Sequence, residues 1–408
     1  MLRLRHKLGD QYSPLYFLSA LGAGGLAVTF FMYLMFLTPH PGTPIPTFES
    51  WMAAIQGGPP VMQGMIAIAI TGIILFSLLH LRVLFWNVRE YRHFKKTEAF
   101  KKLTSGNAEV QLMAMPLTFA MSINVGFILG ALFVPGLWTV VEYLFPLAVL
   151  AFAITGYYAM AIFMRFLSRV LVNGSFDCSR NNNLSQMLAI FAFSMVGVGF
   201  SASAAMSHTQ LTSGIAMILA VMFLTVAVLL AITKFVLGFR AMFEHGIDRE
   251  GAVSLWIIIP IITLVGIAIF RIGMGMHHNF GTEIQPIRHL AMFAVFGGAQ
   301  LLFGILGYMV MKKLGYFQDY VHGQARSIAS YALICPGVAA FVMAFFFVHI
   351  GLVGSGLVEK YSVAHLILLA PLLLLQLKTI LTLFRLNGKL LNREKAGLAK
   401  PATPAMNA

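Results

Sequence analysis

The sequence predicts an all-α, polytopic membrane protein of about ten transmembrane helices, arranged as five helical hairpins in one membrane domain. Three observations carry this expectation. First, 59% of the 408 residues are hydrophobic and only 10% are charged, too few charges to coat a soluble chain of this length. In lipid, backbone polar groups must be satisfied within the segment, so long apolar runs become helices. The apolar/polar alternation of an outer-membrane barrel is absent. Second, long apolar runs recur near residues 14–37, 61–87, 112–134, 139–164, 185–207, 211–237, 252–273, 288–312, 327–351 and 362–385. Third, the basic residues fall in alternate connections, a pattern that an error of one span would destroy.

Residues 1–13 are a basic leader containing Arg3, Arg5 and Lys7. No small-residue cleavage site follows, so the first apolar run is read as a retained span and not as a signal peptide. Basic residues follow spans two (Arg89, Arg92, Lys95, Lys96, Lys101, Lys102), four (Arg165, Arg169, Arg180), six (Arg240, Arg249) and eight (Lys312, Lys313, Arg326), and Arg385, Lys389, Arg393, Lys395 and Lys400 follow span ten. The opposite connections hold only Arg271, Arg288 and Lys360. Positive loops stay in the cytoplasm, so both termini are expected there and the chain in a cell inner membrane. The net charge of +14 is thus a topology signal and a contact with anionic lipid, with no call for nucleic acid.

Tight turns at Val134–Trp138 and His208–Leu211 pair spans three with four and five with six. Residues 88–111 are expected as a basic amphipathic segment on the membrane surface. The membrane domain covers 14–387, and 388–408, ending AGLAKPATPAMNA, is expected to be a disordered tail. The odd spans are rich in small residues and proline: SALGAGGLA in span one, Pro116, Gly126 and Gly130 in three, FSMVGVGFSASAAMS in five, Pro260 in seven, ICPGVAAFVMAFF in nine. Spans two, six and ten are bulkier, although span eight, with Gly297, Gly298, Gly304 and Gly307, breaks the rule. Such residues permit close packing, kinks at Pro116, Pro260 and Pro336, and carbonyls turned to a cavity; ordinary small-residue packing is the alternative.

This layout resembles the tellurite-resistance/dicarboxylate transporter family, which includes bacterial tellurite-resistance proteins, sulfite and malate exporters and plant slow anion channels. LGAGGLA resembles the family's glycine-rich first helix. Cys335-Pro336-Gly337, followed by Phe341, Phe345, Phe346 and Phe347, resembles its ninth helix, where a proline kink lies near an aromatic that closes the pore. The long connection after span two and Glu142 depart from the pattern. The resemblance covers the membrane region in layout, and its motif-level match is confined to these two helices. It implies odd helices around a central pore with even helices outside, a small anionic substrate (organic acid, sulfur oxyanion or halide), a gate at Phe341 or Phe345, and a homo-oligomer.

Ionisable groups inside lipid spans are costly and therefore candidates for function. Arg271, with His277, His278 and Arg288, would make an electropositive entrance; a snorkelling arginine is the alternative. Glu142 is the one acid within a span, either in an ion pair with Arg271 or Arg288 or in proton coupling. Lys234 and Lys378 are read as snorkelling. His208, His277, His278, His289, His349 and His365 all fall toward the outer side. They are candidates for carbonyl and headgroup contacts, for anion or proton handling, or for a haem or metal. Cys335, beside Pro336, is a candidate reactive thiol or an inert packing residue; Cys178 is read as an incidental cytosolic thiol. No Walker, HExxH or Ser/His/Asp pattern is present, so no enzyme is expected, and no cofactor or metal is assigned. A membrane redox protein using these histidines for haem or quinone, with Cys335, is the competing expectation.

Overall fold

A computed structural model describes residues 3–174, 176 and 182–393. Among them, ten helices are long and apolar enough to cross a membrane, and the chain is an all-α polytopic membrane protein. In order they are Pro14–Leu37, Pro60–Phe94, Asn107–Phe133, Leu137–Asn173, Ser185–Met206, Gln210–His245, Glu250–Phe280, Pro286–Lys313, Ile328–Val353 and Val363–Leu390, called spans one to ten below. Spans two, four, six and ten run five to nine residues further at the basic end than the apolar runs that predict them. Hydropathy falls where Arg and Lys begin, but helix formation does not, because these residues are good helix formers whose heads reach water.

The spans sort into two layers. In the odd spans 61% to 94% of the most apolar window is buried, and in the even spans 17% to 39%. Each odd span packs on the next, one on three, three on five, five on seven, seven on nine, and nine closes on one. Each even span lies outside against its hairpin partner. Its outward residues, such as Leu366, Ile367, Leu373 and Leu374 of span ten, are exposed, a surface that only lipid or another apolar partner can cover.

Glycine makes the ring close. A Cβ on Gly22 would stand 2.7 Å from Ile334, and one on Gly25 3.0 Å from Val338, both on span nine. Between them Gly24 faces the other way, where a Cβ would meet Met121 of span three at 2.7 Å and the His80 ring of span two at 2.9 Å. Three neighbours thus reach the backbone of one helix turn. His80 is fully buried and bridges the three first spans through Ala20 O (2.8 Å) and Ser122 Oγ (2.9 Å).

All five odd spans begin at the basic end with a 3-10 turn. Pro116, Pro260 and Pro336 each stand third in the α-helix that follows. They mark a change of helix type and are not kinks within a helix, because a first-turn proline lacks only an N–H that has no carbonyl four residues back in the α-helix. The prolines inside helices are Pro146 and Pro371, on even spans four and ten.

At the basic end the first and last described segments meet. Arg5 N–H donates to Leu391 O (2.9 Å) and Arg393 N–H to Arg3 O (2.8 Å), around an isolated bridge between Leu4 and Asn392. The buried Glu90 carboxylate accepts the N–H groups of Lys7 (3.2 Å) and Leu8 (2.9 Å). The last helix reaches Leu390, so residues 388–393 belong to the bundle; the expected tail from 394 onward, like Cys178 and Arg180, lies outside the described residues. The connection after span two carries a short helix, Glu98–Thr104, with Lys95, Lys96, Lys101 and Lys102 exposed and Phe94 packed edge-on against Phe100. Glu109 behind it is buried and pairs with Arg169 at 3.0 Å.

At the far end, carboxylates hold both tight turns. Glu49 on the short helix Phe48–Gly57 accepts the N–H of Gly136 at 2.6 Å. Gly136 has φ +69°, a conformation that favours glycine. Glu142 accepts from Ser207 Oγ (2.8 Å), His208 N (2.9 Å) and Thr209 Oγ1 (3.3 Å). Its expected partners Arg271 and Arg288 are not bonded to it; the turn between spans five and six already fills its oxygens.

Gly24→Ala is expected to cost about 1–3 kcal/mol, because the His80 ring it meets is fixed by hydrogen bonds on both sides. Gly64→Ala, on the lipid face with open space around it, should leave the melting temperature in detergent unchanged or slightly raised; equal loss in both variants would refute the close-packing account. The Gly136 N–H holds the Glu49 carboxyl below its usual range. A depressed carboxyl stabilises the fold above its ordinary pKa and loses that contribution as pH falls through its folded value. Wild type and Glu49→Ala should therefore differ in melting temperature at neutral pH and converge below the carboxylate range.

Candidate functional site

The ring encloses a cavity of about 170 Å³. Every odd span contributes to its wall, and of the even spans only span four does, through Ala148 and Phe152. A water needs roughly 10–15 Å³ on such a measure, so the space suits a few waters or one small solute. The wall is mainly apolar. Its polar side chains are Asn124, Ser203, Thr263, Arg271 and Cys335.

Arg271 stands in span seven, four turns beyond the helix start, and its guanidinium is held by one hydrogen bond to the Val198 carbonyl of span five (Nη1 to O, 3.2 Å). No ion pair engages it among the described residues. A permanent cation on an apolar wall without a carboxylate leaves donors of its five-donor fork free toward the cavity. Thr263, a little over two turns back along the same span, is fully committed. Its hydroxyl donates toward Ile259 O (3.0 Å) and Ala339 O (3.1 Å) and accepts from the buried Gln300 of span eight (2.5 Å). Asn124 of span three donates to Ala120 O at 3.2 Å, which leaves its carbonyl oxygen available. Asn124, Ser203 and Thr263 escape a reading that looks only for charged groups, histidines and thiols; a polar amide inside the apolar run FAMSINVGF is the signal that could have found the first.

The other expected entrance residues lie elsewhere. His277 and His278 are exposed at the end of span seven, with Nδ1 atoms against Thr282 O (2.6 Å) and Ala205 O (3.2 Å). Arg288 is exposed on the first turn of span eight, His289 stands edge-on to Phe270 at 5.0 Å, and His208 contributes its backbone N–H to the Glu142 clamp while its side chain is exposed.

His349 and His365 form a pair, Nε2 to Nε2 at 3.2 Å. Tyr361 N–H donates to His365 Nδ1 (3.3 Å), which assigns the proton of His365 to Nε2. That proton points at His349 Nε2, so His349 carries its own on Nδ1, which faces Phe345 O at 2.8 Å. The chain of donors is complete with both rings neutral. The two Nε2 atoms are engaged with each other, so the pair offers no free nitrogen to a haem iron. His349 also lies in a π-helical stretch, Phe347–Val353, stacked on Phe36 (4.7 Å).

Phe341 and Phe345 are not at the cavity. Their stacked rings (4.5 Å) are fully buried against Tyr33 of span one, whose hydroxyl donates to Gln376 of span ten at 2.6 Å. The expectation of a gate here fails on the choice of face. Residues four apart do share a face, but the face turned inward is the neighbouring one, with Cys335, Val338, Val342 and Phe346. Phe346 reaches the wall but is wedged between Phe36, Phe270 and Phe293. Cys335 does line the cavity, as an expected cavity thiol would.

No family model matches this sequence, and no curated protein matches it either.

Phe341→Ala should behave as a core deletion, losing about 3–5 kcal/mol of stability with no gain in solute flux through reconstituted protein. Normal stability together with raised flux would restore the gate.

Proposed function

We propose that the chain is a transporter or channel for a small anion, which passes through the ring of odd spans, in the manner of the tellurite-resistance/dicarboxylate transporter family. One observation carries the reading: the guanidinium of Arg271 lines a central cavity that is otherwise mainly apolar, with no carboxylate paired to it among the described residues. In such a setting a positive charge attracts an anion far more strongly than it would in water, and repels cations. The layering of the spans supports a path through the middle. The alternating basic connections support a cytoplasmic basic end, and on that reading the Arg271 side of the cavity faces the outside of a cell inner membrane. The haem or quinone reading lacks any comparable support, because the best-placed histidine pair is already self-satisfied.

Arg271→Ala is expected to lower anion uptake into liposomes by about tenfold or more at low salt, with folded yield nearly unchanged, and Arg271→Lys to retain part of the activity. Wild-type uptake should fall with ionic strength more steeply than that of the variant. Uptake that is equal in wild type and Arg271→Ala at every ionic strength would remove Arg271 from the path.

A further inference from the structure

A second cavity, of about 80 Å³, lies at the basic end of the same ring. Its wall and that of the central cavity follow one another in register along the helices. On span five, Ser185 and Leu188 line the second cavity, Phe191 lines both, and Met195 and Val198 line the central one. On span nine the order is Ala329 and Ala332, then Cys335 in both, then Val338 and Val342. Span seven shows the same order about Pro260, and span one passes from Leu18 in the second cavity to Leu21 in the central one. Steps of three and four residues are one helix turn, so the two spaces are successive segments of one axial path, and they meet at Phe191, Pro260 and Cys335.

We propose that this meeting point is the narrow neck of the path and that the Phe191 ring is the element that opens and closes it, an inference that rests on the transport reading above. Of the three shared residues, Pro260 is fixed in its backbone and Cys335 is short. Phe191 alone has a large ring that rotates about two side-chain bonds. Other phenylalanines of span five are locked by neighbours: Phe193 by Phe163 at 5.5 Å and Phe200 by Phe152 at 6.0 Å. Phe191 makes no such ring contact among the described residues. It is itself buried, in a helix that is 94% buried over its apolar window, and it lines a cavity on each side along the axis. A ring that borders a cavity on either side of a constriction built from apolar atoms and one thiol is suited to admit a partly dehydrated solute and to hold back a fully hydrated one.

Cys335 reports on the neck independently of transport. In a Cys178→Ser background it is the single cysteine of the chain. The anionic reagent methanethiosulfonate ethylsulfonate transfers its thioethylsulfonate group to a thiolate, releasing methanesulfinate, and intact mass spectrometry follows the product. Phe191→Ala should speed labelling of Cys335 several-fold and raise anion flux in liposomes, and Phe191→Trp should slow both. Modification of Cys335 should itself block flux. If Phe191→Ala does not fold, Phe191→Trp decides the matter alone. Labelling rates indifferent to residue 191 would overturn the neck, even if the protein transports. Labelling that tracks residue 191 while no variant passes any anion would uphold the neck and refute the transport reading.

Discussion

Contact between bare backbones on span one is the constraint from which the bundle is built. Lipid tails are as apolar as leucine, so burying side chains gives helices no reason to associate in a membrane; close packing and hydrogen bonds must do it. Gly22, Gly24 and Gly25 let spans nine, three and two reach the backbone of span one within a single turn. With that approach the five inner spans form a closed ring rather than a sheet of helices. The cavity, the isolation of Arg271 and the outward leucines of the even spans all follow from that closure.

Closure also explains how a bare guanidinium is tolerated. An unpaired charge inside apolar surroundings is costly unless water or hydrogen bonds reach it. Arg271 keeps one bond to the Val198 carbonyl and faces a space large enough for a few waters. The same geometry that lowers its cost leaves its remaining donors turned to the cavity. Glu49 and Glu142 do not neutralise it, because their carboxylates are taken up by the tight turns at the far end.

Much of the fold was legible in the sequence. Hydropathy and the alternation of basic loops place ten spans, and the glycines and prolines of the odd spans anticipate which helices lie inside. The site was legible only in part. Arg271 and Cys335 stand out because charges and thiols are rare in such runs, and both line the cavity. The face of span nine did not show itself: Phe341 with Phe345 and Val342 with Phe346 have the same spacing, and all are apolar. In a bilayer the usual contrast between a polar outer and an apolar inner face is missing, so periodicity loses its direction. Glu142 was misjudged for a related reason. Sequence shows a charge and suggests another charge as its partner, whereas the groups most in need of an acceptor were the backbone N–H groups and hydroxyls of a turn.

The pairing of the first and last described segments has a consequence for biogenesis. The strand-like contact of Leu4 with Asn392 and the closure of span one by span nine bring together segments made more than 300 residues apart in a chain of 408. While the ribosome is still producing the middle of the protein, the glycine face of span one has no permanent neighbour on that side. The ring exists only after span nine has been inserted, so a half-made chain has no enclosed interior through which the membrane could leak.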